Sequence, residues 1–365
     1  MAKRITPAAA YQRKDAPLRL LAIQAQPAIK RDIKASLKHL GSLVDVERAA
    51  DLIRHALPGR VYEAVDVPHF EQVLRVPFNR IAELRLAAAH YGVRKINGSF
   101  YQRQQRVRFG KGYYVRPQDR DGAIIIDIMR GIAKDIGDRF NFDTYSDVTL
   151  ARVRAAQDRL IQQLAGDVRQ NVYNIVMDGA RRGLTPEETV ANIRDLIGLT
   201  DTQSQAVLNF QSMLYDLDPA ALTRQLRNTE YDAALQDAID SGVDLGDAAI
   251  QRMTEDYASN YLDYRANTIA RTESVRATSA GLQDSYQQAI ERGALPAEAI
   301  KQFWTVALDE KTCPVCLSIP DMNPNGIAIG EQFESIDGPM DAPPDPHPAC
   351  RCSIDVVTDL DMVPD

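Results

Sequence analysis

All four cysteines of this 365-residue chain lie between residues 313 and 352, so its thiol chemistry is confined to one C-terminal region. The segment "PPDPHPACRC" at residues 343–352 holds two of them together with His347, the only histidine in the C-terminal half. Cysteines that fill cores would be scattered, and a secreted disulfide scaffold needs a secretory signal. The N-terminal sequence "MAKRITPAAAYQRKD" lacks the apolar core of such a signal, which predicts synthesis in the cytosol. The grouping therefore favours a metal site or paired thiols in a reducing cell.

The first cysteine pair follows a strand pattern. The sequence "FWTVALD" at residues 303–309 alternates apolar side chains, Trp304 among them, on one side of an extended chain. It leads directly into Cys313-x-x-Cys316. At the end of a strand this spacing can form a tight turn that aims both thiolates at one point, as in structural zinc sites.

The second pair lies in another strand pattern, "CRCSIDVV" at residues 350–357. Because side chains alternate along a strand, Cys350 and Cys352 are expected on the same face. The two predicted strands would bring four sulfurs together. Residues 317–349, rich in Pro, Gly and Asp, are expected to form a covering loop.

Four sulfurs at one point could bind one structural zinc ion, with the histidine as a substitute if one cysteine points away. The candidate ligands are Cys313, Cys316, Cys350, Cys352 and His347. The later C-x-C is less diagnostic than a second C-x-x-C. Reduced cysteines in a small core, and disulfides formed after the protein leaves the cytosol, therefore remain open. A catalytic cysteine is disfavoured because its nearest histidine is flanked by prolines.

Charge is divided unevenly along the chain, although the net charge is −7. Residues 1–120 hold 23 Lys and Arg against 10 Asp and Glu, whereas the remainder holds 20 against 40. Blocks of opposite sign indicate that one part faces a polyanion or an acidic partner while another part faces something different. A solvated helix surface is the alternative.

The basic block ends in a segment without acids, "VRKINGSFYQRQQRVRFGKGYYVRP" at residues 93–117. Five aromatic residues are interleaved with its cations, a mixture that suits phosphates and bases or an interface arm. A pair of strands turned at "FGKGYY" is the alternative. The predicted polyanion-binding residues are Arg94, Lys95, Arg103, Arg106, Arg108, Lys111 and Arg116.

Hydrophobic periodicity predicts several amphipathic helices before the cysteine region. Short helical pieces are expected over residues 19–57, and a helix over residues 78–91 is expected to end at Gly92. A longer helix is expected over residues 146–180. The predicted buried face of the first region is Ile29, Ile33, Leu37 and Leu40.

Two similar sequences, "GLTPEE" and "GLTDTQ", predict helix starts with capping boxes. The pairs are Thr185 with Glu188 and Thr200 with Gln203. Residues 219–292 are predicted to be helical with a break near "DSGVDLGDA", and the last helix is expected to end at Gly293.

That last helix carries a carboxylate, Glu273, on its apolar stripe. A buried carboxylate needs a partner, and Arg276 is placed to pair with it one turn along, with Arg271 also near in sequence. A partly exposed position on the helix edge is the alternative.

These patterns predict a mainly α N-terminal and central region and an α+β C-terminal domain with a Cys-rich strand and turn element. The predicted divisions are a basic N-terminal domain or arm at 1–120, a long helical connector at 121–180, a C-terminal domain at 181–356 and an acidic tail at 357–365. The longest apolar runs, such as "AIII", are too short to span a bilayer.

The order of motifs in the C-terminal half is more specific than any one of them. "IARTESVRA", Trp304, "DEKTCPVC", Phe333, "PP" and "HPACRC" follow one another as in the C-terminal domain of the Mu F-like phage minor head proteins, also called head morphogenesis proteins. The chain resembles this family over about residues 165–356, which include the two capping-box helices, and departs from it after Cys316, where "LSIPDMNPNG" replaces a short Asp-Gly turn. The resemblance implies that Trp304 and Asp309 lie on the strand that enters the cysteine turn. The implied signature residues are Arg271, Thr272, Glu273, Trp304, Asp309, Pro344, His347, Pro348 and Arg351.

The resemblance implies a low-copy virion structural protein near the portal, incorporated in the host cytoplasm during procapsid assembly. Its implied partners are the portal protein, other head or neck proteins and genomic DNA, with several copies around the portal and, in some family members, a link to DNA packaging or ejection. The alternative is a DNA-binding accessory virion protein that acts through the basic N-terminal arm.

An enzyme is not predicted. An ADP-ribosyltransferase-like site would need a Glu-x-Glu that is not found in a suitable C-terminal place, and "RATSA" is a poor substitute for a nicotinamide-binding strand. A His-Asn-His nuclease would need at least two histidines where this half of the chain has one.

Overall fold

The computed structural model describes residues 17–109, 140–143, 146–307, 309–359 and 361. This part of the chain is mainly α-helical and has a two-stranded antiparallel sheet near its C-terminal end, which confirms the predicted fold class. The strands are β1 (Ile300–Thr305) and β2 (Ser353–Thr358). The α-helices are α1 (Pro17–His39), α2 (Val46–Arg54), α3 (Val67–Phe109), α4 (Asp147–Arg182), α5 (Pro186–Leu196), α6 (Asp201–Tyr215), α7 (Asp232–Ser241), α8 (Asp247–Glu291) and α9 (Pro314–Met322).

The chain forms two compact units, each assembled from separate stretches of sequence. The first unit comprises the described residues within 1–27, 79–153 and 269–365, and the second comprises residues 28–78 and 154–268. The domain divisions derived above from charge and sequence pattern remain predictions.

The second unit is a helical assembly built on the predicted apolar faces. Ile29, Ile33, Leu37 and Leu40 are each at most 1% exposed, as their spacing predicts. This region has fewer helix breaks than expected, because α1 is one helix of 23 residues that continues through Pro27. Along α4 the predicted stripe is buried at Leu160, Leu164, Val168, Val172, Ile175 and Val176.

Both predicted capping boxes are confirmed. Thr185 Oγ1 accepts the Glu188 N–H, and the Glu188 carboxylate accepts the Thr185 N–H at 2.8 Å, where α5 begins. Thr200 and Gln203 make the same reciprocal pair where α6 begins. These contacts satisfy backbone donors that the first turn of a helix leaves without partners.

The helix predicted to end at Gly92 does not end there. Helix α3 runs from Val67 to Phe109 and contains both Pro77 and Gly92. A Cβ added at Gly92 would lie 1.9 Å from Ser285 Oγ, so the glycine permits close contact with α8 rather than capping α3. Gly281 on α8 makes the reciprocal approach, since its added Cβ would lie 2.0 Å from the Arg85 carbonyl oxygen. The tertiary contact, which local sequence does not reveal, overrides the helix-stop signal.

The other predicted breaks are confirmed. Helix α7 ends at Ser241, the next residue Gly242 has φ +67°, and α8 begins at Asp247. After α8 ends at Glu291, Gly293 adopts φ +66°, a left-handed conformation that glycine adopts without steric cost.

The sheet and the cysteines share one hydrophobic core in the first unit. Strands β1 and β2 pair with Trp304 opposite Ile354 and Thr305 opposite Ser353. Trp304 is 2% exposed and packs edge-on against Phe333, with ring centroids 5.4 Å apart. Three cysteines lie in the same core, Cys316, Cys350 and Cys352. Among the described residues, no helix is both long and apolar enough to cross a membrane.

Candidate functional site

The segment entering the first cysteine pair is only partly a strand. Strand β1 ends at Thr305, so Asp309 lies beyond the strand on which the resemblance placed it. Pairing stops because Ser353, opposite Thr305, is the first residue of β2. Asp309 instead begins a turn, in which its carbonyl accepts the Thr312 N–H at 3.0 Å and its carboxylate accepts the Lys311 N–H at 3.1 Å.

This turn leads into α9, whose first turn carries the C-x-x-C pair. Cys313 is the N-cap, and its Sγ accepts the Cys316 N–H at 3.3 Å. Cys316 is 1% exposed, whereas Cys313 is half-buried. Because α9 extends to Met322, the covering loop predicted from residue 317 begins only after that helix.

The second cysteine pair lies just before the observed strand, whereas the sequence pattern predicts it within that strand. Strand β2 begins at Ser353, so the strand assignment is wrong for residues 350–352. The chain turns at Ala349, which has φ +60°, and this turn directs the pair inward. Cys350 and Cys352 are 1% and 3% exposed and lie on the same side of the chain, as expected, although a loop rather than a strand places them there.

The structure brings all five predicted ligands together in two groups of three that share Cys316. One group is Cys313, Cys316 and His347, and the other is Cys316, Cys350 and Cys352. Within each group the ligand atoms lie within 4.8 Å of one another. Cys316 Sγ lies 3.8 Å from Cys350 Sγ and 3.7 Å from His347 Nε2.

His347 is oriented by its own neighbour. Its Nδ1 lies 2.9 Å from the Pro348 carbonyl oxygen. Since a carbonyl can only accept, this contact assigns a ring proton to Nδ1, so that the neutral imidazole has its lone pair on Nε2. That lone pair is on the nitrogen next to the Cys316 sulfur, which is the tautomer that a metal-binding histidine needs.

The three buried thiols hold their protons unequally. Hydrogen bonds from the Cys316 and Cys350 thiols lower the pKa of Cys352 below its usual range. Hydrogen bonds to Cys350 and Cys352, followed by burial, raise the pKa of Cys316. The nearby indole N–H of Trp304 also lowers the pKa of Cys352. Its Nε1 makes no hydrogen bond of regular geometry with a described residue. The cluster therefore stabilises a thiolate with thiol donors, whose protons a divalent cation would displace.

The signature residues of α8 lie against the cluster. Thr272 Oγ1 accepts the Ala349 N–H at 2.8 Å, which ties α8 to the turn before Cys350. Arg271 lines a cavity of about 200 Å³ whose walls include all four cysteines and His347. Glu273 is 5% exposed and pairs with Arg276, so its predicted burial and local partner are confirmed.

The remaining signature residues hold the closing segment in place. The Asp309 carboxylate pairs with Arg351 at 2.5 Å, and the Pro344 carbonyl accepts the His347 N–H at 3.3 Å. Arg19 joins this group, with its guanidinium 3.9 Å from Asp309 and donating to the Ala307 carbonyl at 3.2 Å. The sequence carries no signal for Arg19, because the contact spans almost the whole chain.

The basic segment is helical where it is described. Helix α3 extends to Phe109, so the alternative of a strand pair is wrong for residues 93–109. The Arg94 guanidinium lies 6.0 Å from the Tyr91 ring centroid, and Lys95 pairs with Asp355 and donates to the Val356 carbonyl at 2.6 Å. The other predicted polyanion-binding positions lie outside the described side chains: Arg103, Arg106, Arg108, Lys111 and Arg116.

Comparison with known families agrees with this site. Residues 229–355 match the family model described as phage Mu protein F like protein. The matched segment runs from just before α7 into β2 and contains the whole cysteine and histidine cluster. It is narrower than the stretch over which the sequence resembles the family, and both capping-box helices lie before it. No curated protein and no solved structure matches the chain.

Residues 229–355 therefore match the phage Mu F-like family, the class found in phage head morphogenesis proteins. That class is structural rather than typically enzymatic, and it implies a location in the virion with other virion proteins as partners.

Proposed function

We propose that the protein is a minor head protein that docks on the portal during procapsid assembly. In the virion it remains near the portal. The family match to residues 229–355 carries this proposal. It is supported by the way α8, the Asp309 turn and the closing segment are tied together by Thr272 and Arg351. We infer that these ties hold together the segments that would contact the portal.

Docking is tested with the full chain and the portal ring of the same phage. Purified chain is mixed with immobilised ring at low and moderate salt, and the bound fraction is measured. We expect saturable binding that persists at moderate salt. A folded chain that is not retained at either salt concentration would show that the docking proposal is wrong.

A variant with five basic residues replaced by glutamine serves as the matched control, since these positions belong to the predicted DNA-contacting segment. Its portal binding is expected to equal that of the unaltered chain. The replaced residues are Arg103, Arg106, Arg108, Lys111 and Arg116.

A second proposed activity is contact with packaged DNA through the same basic segment, which the excess of cations in residues 1–120 favours. Each neutralised phosphate releases counterions, so the affinity should fall steeply with salt. Removing five cations should reduce the slope of log K against log salt by about 4 to 5. An equal slope for the glutamine variant and the unaltered chain would exclude this segment as the DNA contact.

We further propose that the cysteine and histidine cluster binds one structural zinc ion during assembly. The convergence of Cys313, Cys316, Cys350, Cys352 and His347 around one cavity supports this, because thiolates and imidazoles are the ligands that zinc prefers. Metal analysis of protein purified under reducing conditions should find one zinc per chain. Metal-free protein whose four thiols all react after unfolding would contradict it.

A further inference from the structure

We propose that His347, and not Cys313, completes the zinc site with Cys316, Cys350 and Cys352. This assignment rests on the zinc binding proposed above and specifies its ligands. Zinc in structural sites takes four ligands in a tetrahedron, whereas the cluster offers five. One of the five must therefore have another role.

Two separations from Cys316, one to a thiol of its buried group and one to the histidine of the other group, already suit a tetrahedral ion. Zinc–sulfur and zinc–nitrogen bonds of about 2.3 Å and about 2.0–2.1 Å require edges of about 3.8 Å between two sulfurs and about 3.6 Å between sulfur and nitrogen. The observed distances from Cys316 Sγ are 3.8 Å to Cys350 Sγ and 3.7 Å to His347 Nε2. Cys352 belongs to the same buried group of thiols.

The second contact of His347 is the one that a zinc-binding histidine makes. Its Nδ1 donates to the Pro348 carbonyl at 2.9 Å, which holds the ring plane and keeps the Nε2 lone pair available. Metal-bound histidines almost always donate their other ring N–H to a carbonyl or carboxylate, which fixes the tautomer and raises the basicity of the ligand.

Cys313 already has a structural role. Its sulfur accepts the Cys316 N–H and caps α9, satisfying a backbone donor of the first turn. It is half-buried, whereas the three other thiols are at most 3% exposed. Serine is a strong N-cap residue, so a serine at this position preserves the cap and removes only the thiol.

The local charge agrees with three thiolates rather than four. Zinc with three thiolates and a neutral imidazole carries one net negative charge, and a fourth thiolate would make it two. Arg271 lines the cavity beside the cysteines and forms no ion pair with another described residue. Arg351 also lines it but is already paired with Asp309, and Lys311 is exposed to solvent. One partly buried guanidinium without another ion-pair partner among the described residues therefore matches one excess charge.

The test uses the full chain loaded with Co²⁺, whose visible spectrum reports the number of thiolates. The unaltered chain should give a three-thiolate, one-nitrogen spectrum. C313S should keep this spectrum and bind zinc within about twofold of the unaltered chain, since the ligands are unchanged. H347A should bind zinc at least about tenfold more weakly, because loss of even a residue that hydrogen-bonds to a metal ligand weakens metal binding by that factor. H347C should shift the spectrum to four thiolates.

The possible outcomes distinguish an error in this ligand assignment from an error in the zinc proposal or in the docking proposal. If C313S loses a thiolate band while H347A keeps the original spectrum, Cys313 is the ligand and the assignment is wrong. If the unaltered chain binds no metal, the zinc proposal itself is wrong. Portal retention measured on the same samples reports docking independently. C316S, which removes the thiol common to both groups, should lose the spectrum, and circular dichroism checks that each variant is folded.

Discussion

At the scale of single residues, Thr272 shows how a signature position of α8 acts on the cysteine cluster. Its hydroxyl accepts the N–H of Ala349, the residue whose positive φ turns the chain toward Cys350. The contact joins two segments that are 77 positions apart. A small polar side chain therefore anchors the loop that delivers two buried thiols.

Thr272→Val keeps the side-chain shape and removes the acceptor. The Ala349 N–H then loses its partner, which should lower the stability of the closing segment by about 1 to 2 kcal/mol. Amide hydrogen exchange should speed up in residues 343–352 and remain unchanged in α5. Thr202→Val, at an exposed position of α6, is the control and should leave both regions unaffected. Equal exchange in the two variants would show that the Thr272 hydroxyl is not needed.

At the scale of elements, the contact between α3 and α8 depends on glycines. A Cβ at Gly281 would lie 2.0 Å from the backbone oxygen of Arg85. Only movement of a whole helix could relieve this steric overlap. An ion pair joins the same two helices, because Asp284 of α8, which is 8% exposed, accepts from Arg85 of α3 at 2.7 Å. Asp284 also accepts from Arg152 of α4 at 3.0 Å.

Gly281→Ala should destabilise the protein by about 1 to 3 kcal/mol or more, because overpacking against a backbone atom forces the helices apart. Gly166→Ala is the matched control, since this glycine also lies inside a helix but a Cβ there meets nothing within 4 Å. That change should stabilise the protein by about 0.5 to 1 kcal/mol through helix propensity. Thermal unfolding of the two variants checks the opposite signs.

Asp284→Asn removes a buried carboxylate and leaves the guanidinium of Arg85, whose side chain is 12% exposed, without its charge partner. We expect a loss of about 2 to 3 kcal/mol, below the usual cost for a fully buried pair because the Arg152 side chain is 40% exposed. Glu63→Gln breaks the exposed pair with Arg60 and should have no measurable effect. If denaturant unfolding showed comparable losses of stability for the two variants, the role assigned to burial would be wrong.

At the scale of the whole molecule, the helices and the cysteine cluster contribute separately to the stability of the fold. Helical residues predominate, whereas the cluster lies where a short helix, a turn and a loop meet the sheet. Side-chain ties such as those of Thr272 and Arg351 help to order these last pieces, and under the zinc proposal the metal does so as well.

Removing zinc with a chelator under reducing conditions should therefore lower the melting temperature while leaving most of the helical circular dichroism intact. An ion present at 1,000 times its dissociation constant stabilises the folded state by about 4 kcal/mol. Returning zinc should restore the melting temperature, and Mg²⁺, which prefers oxygen ligands, should not. An unchanged melting temperature after complete removal would show that the cluster has no stabilising metal.

Local sequence was sufficient wherever neighbouring residues decide the structure. The capping boxes at Thr185 and Thr200 form because both partners lie within one turn, and Ile33 and Leu37 are buried because helix periodicity places them on one face. The order of the cysteine motifs was also enough to identify the Mu F-like domain and to group its five candidate ligands.

Tertiary structure decided what depends on distant partners. Gly92 does not end α3 because Ser285 packs against it, and Asp309 leaves its strand because the partner strand begins only at Ser353. Arg19 reaches Asp309 only in the folded chain, and the five ligands form two groups sharing Cys316 only once the closing segment lies against α9. Periodicity and spacing act over a few residues, whereas these contacts exist only once the chain has brought remote segments together.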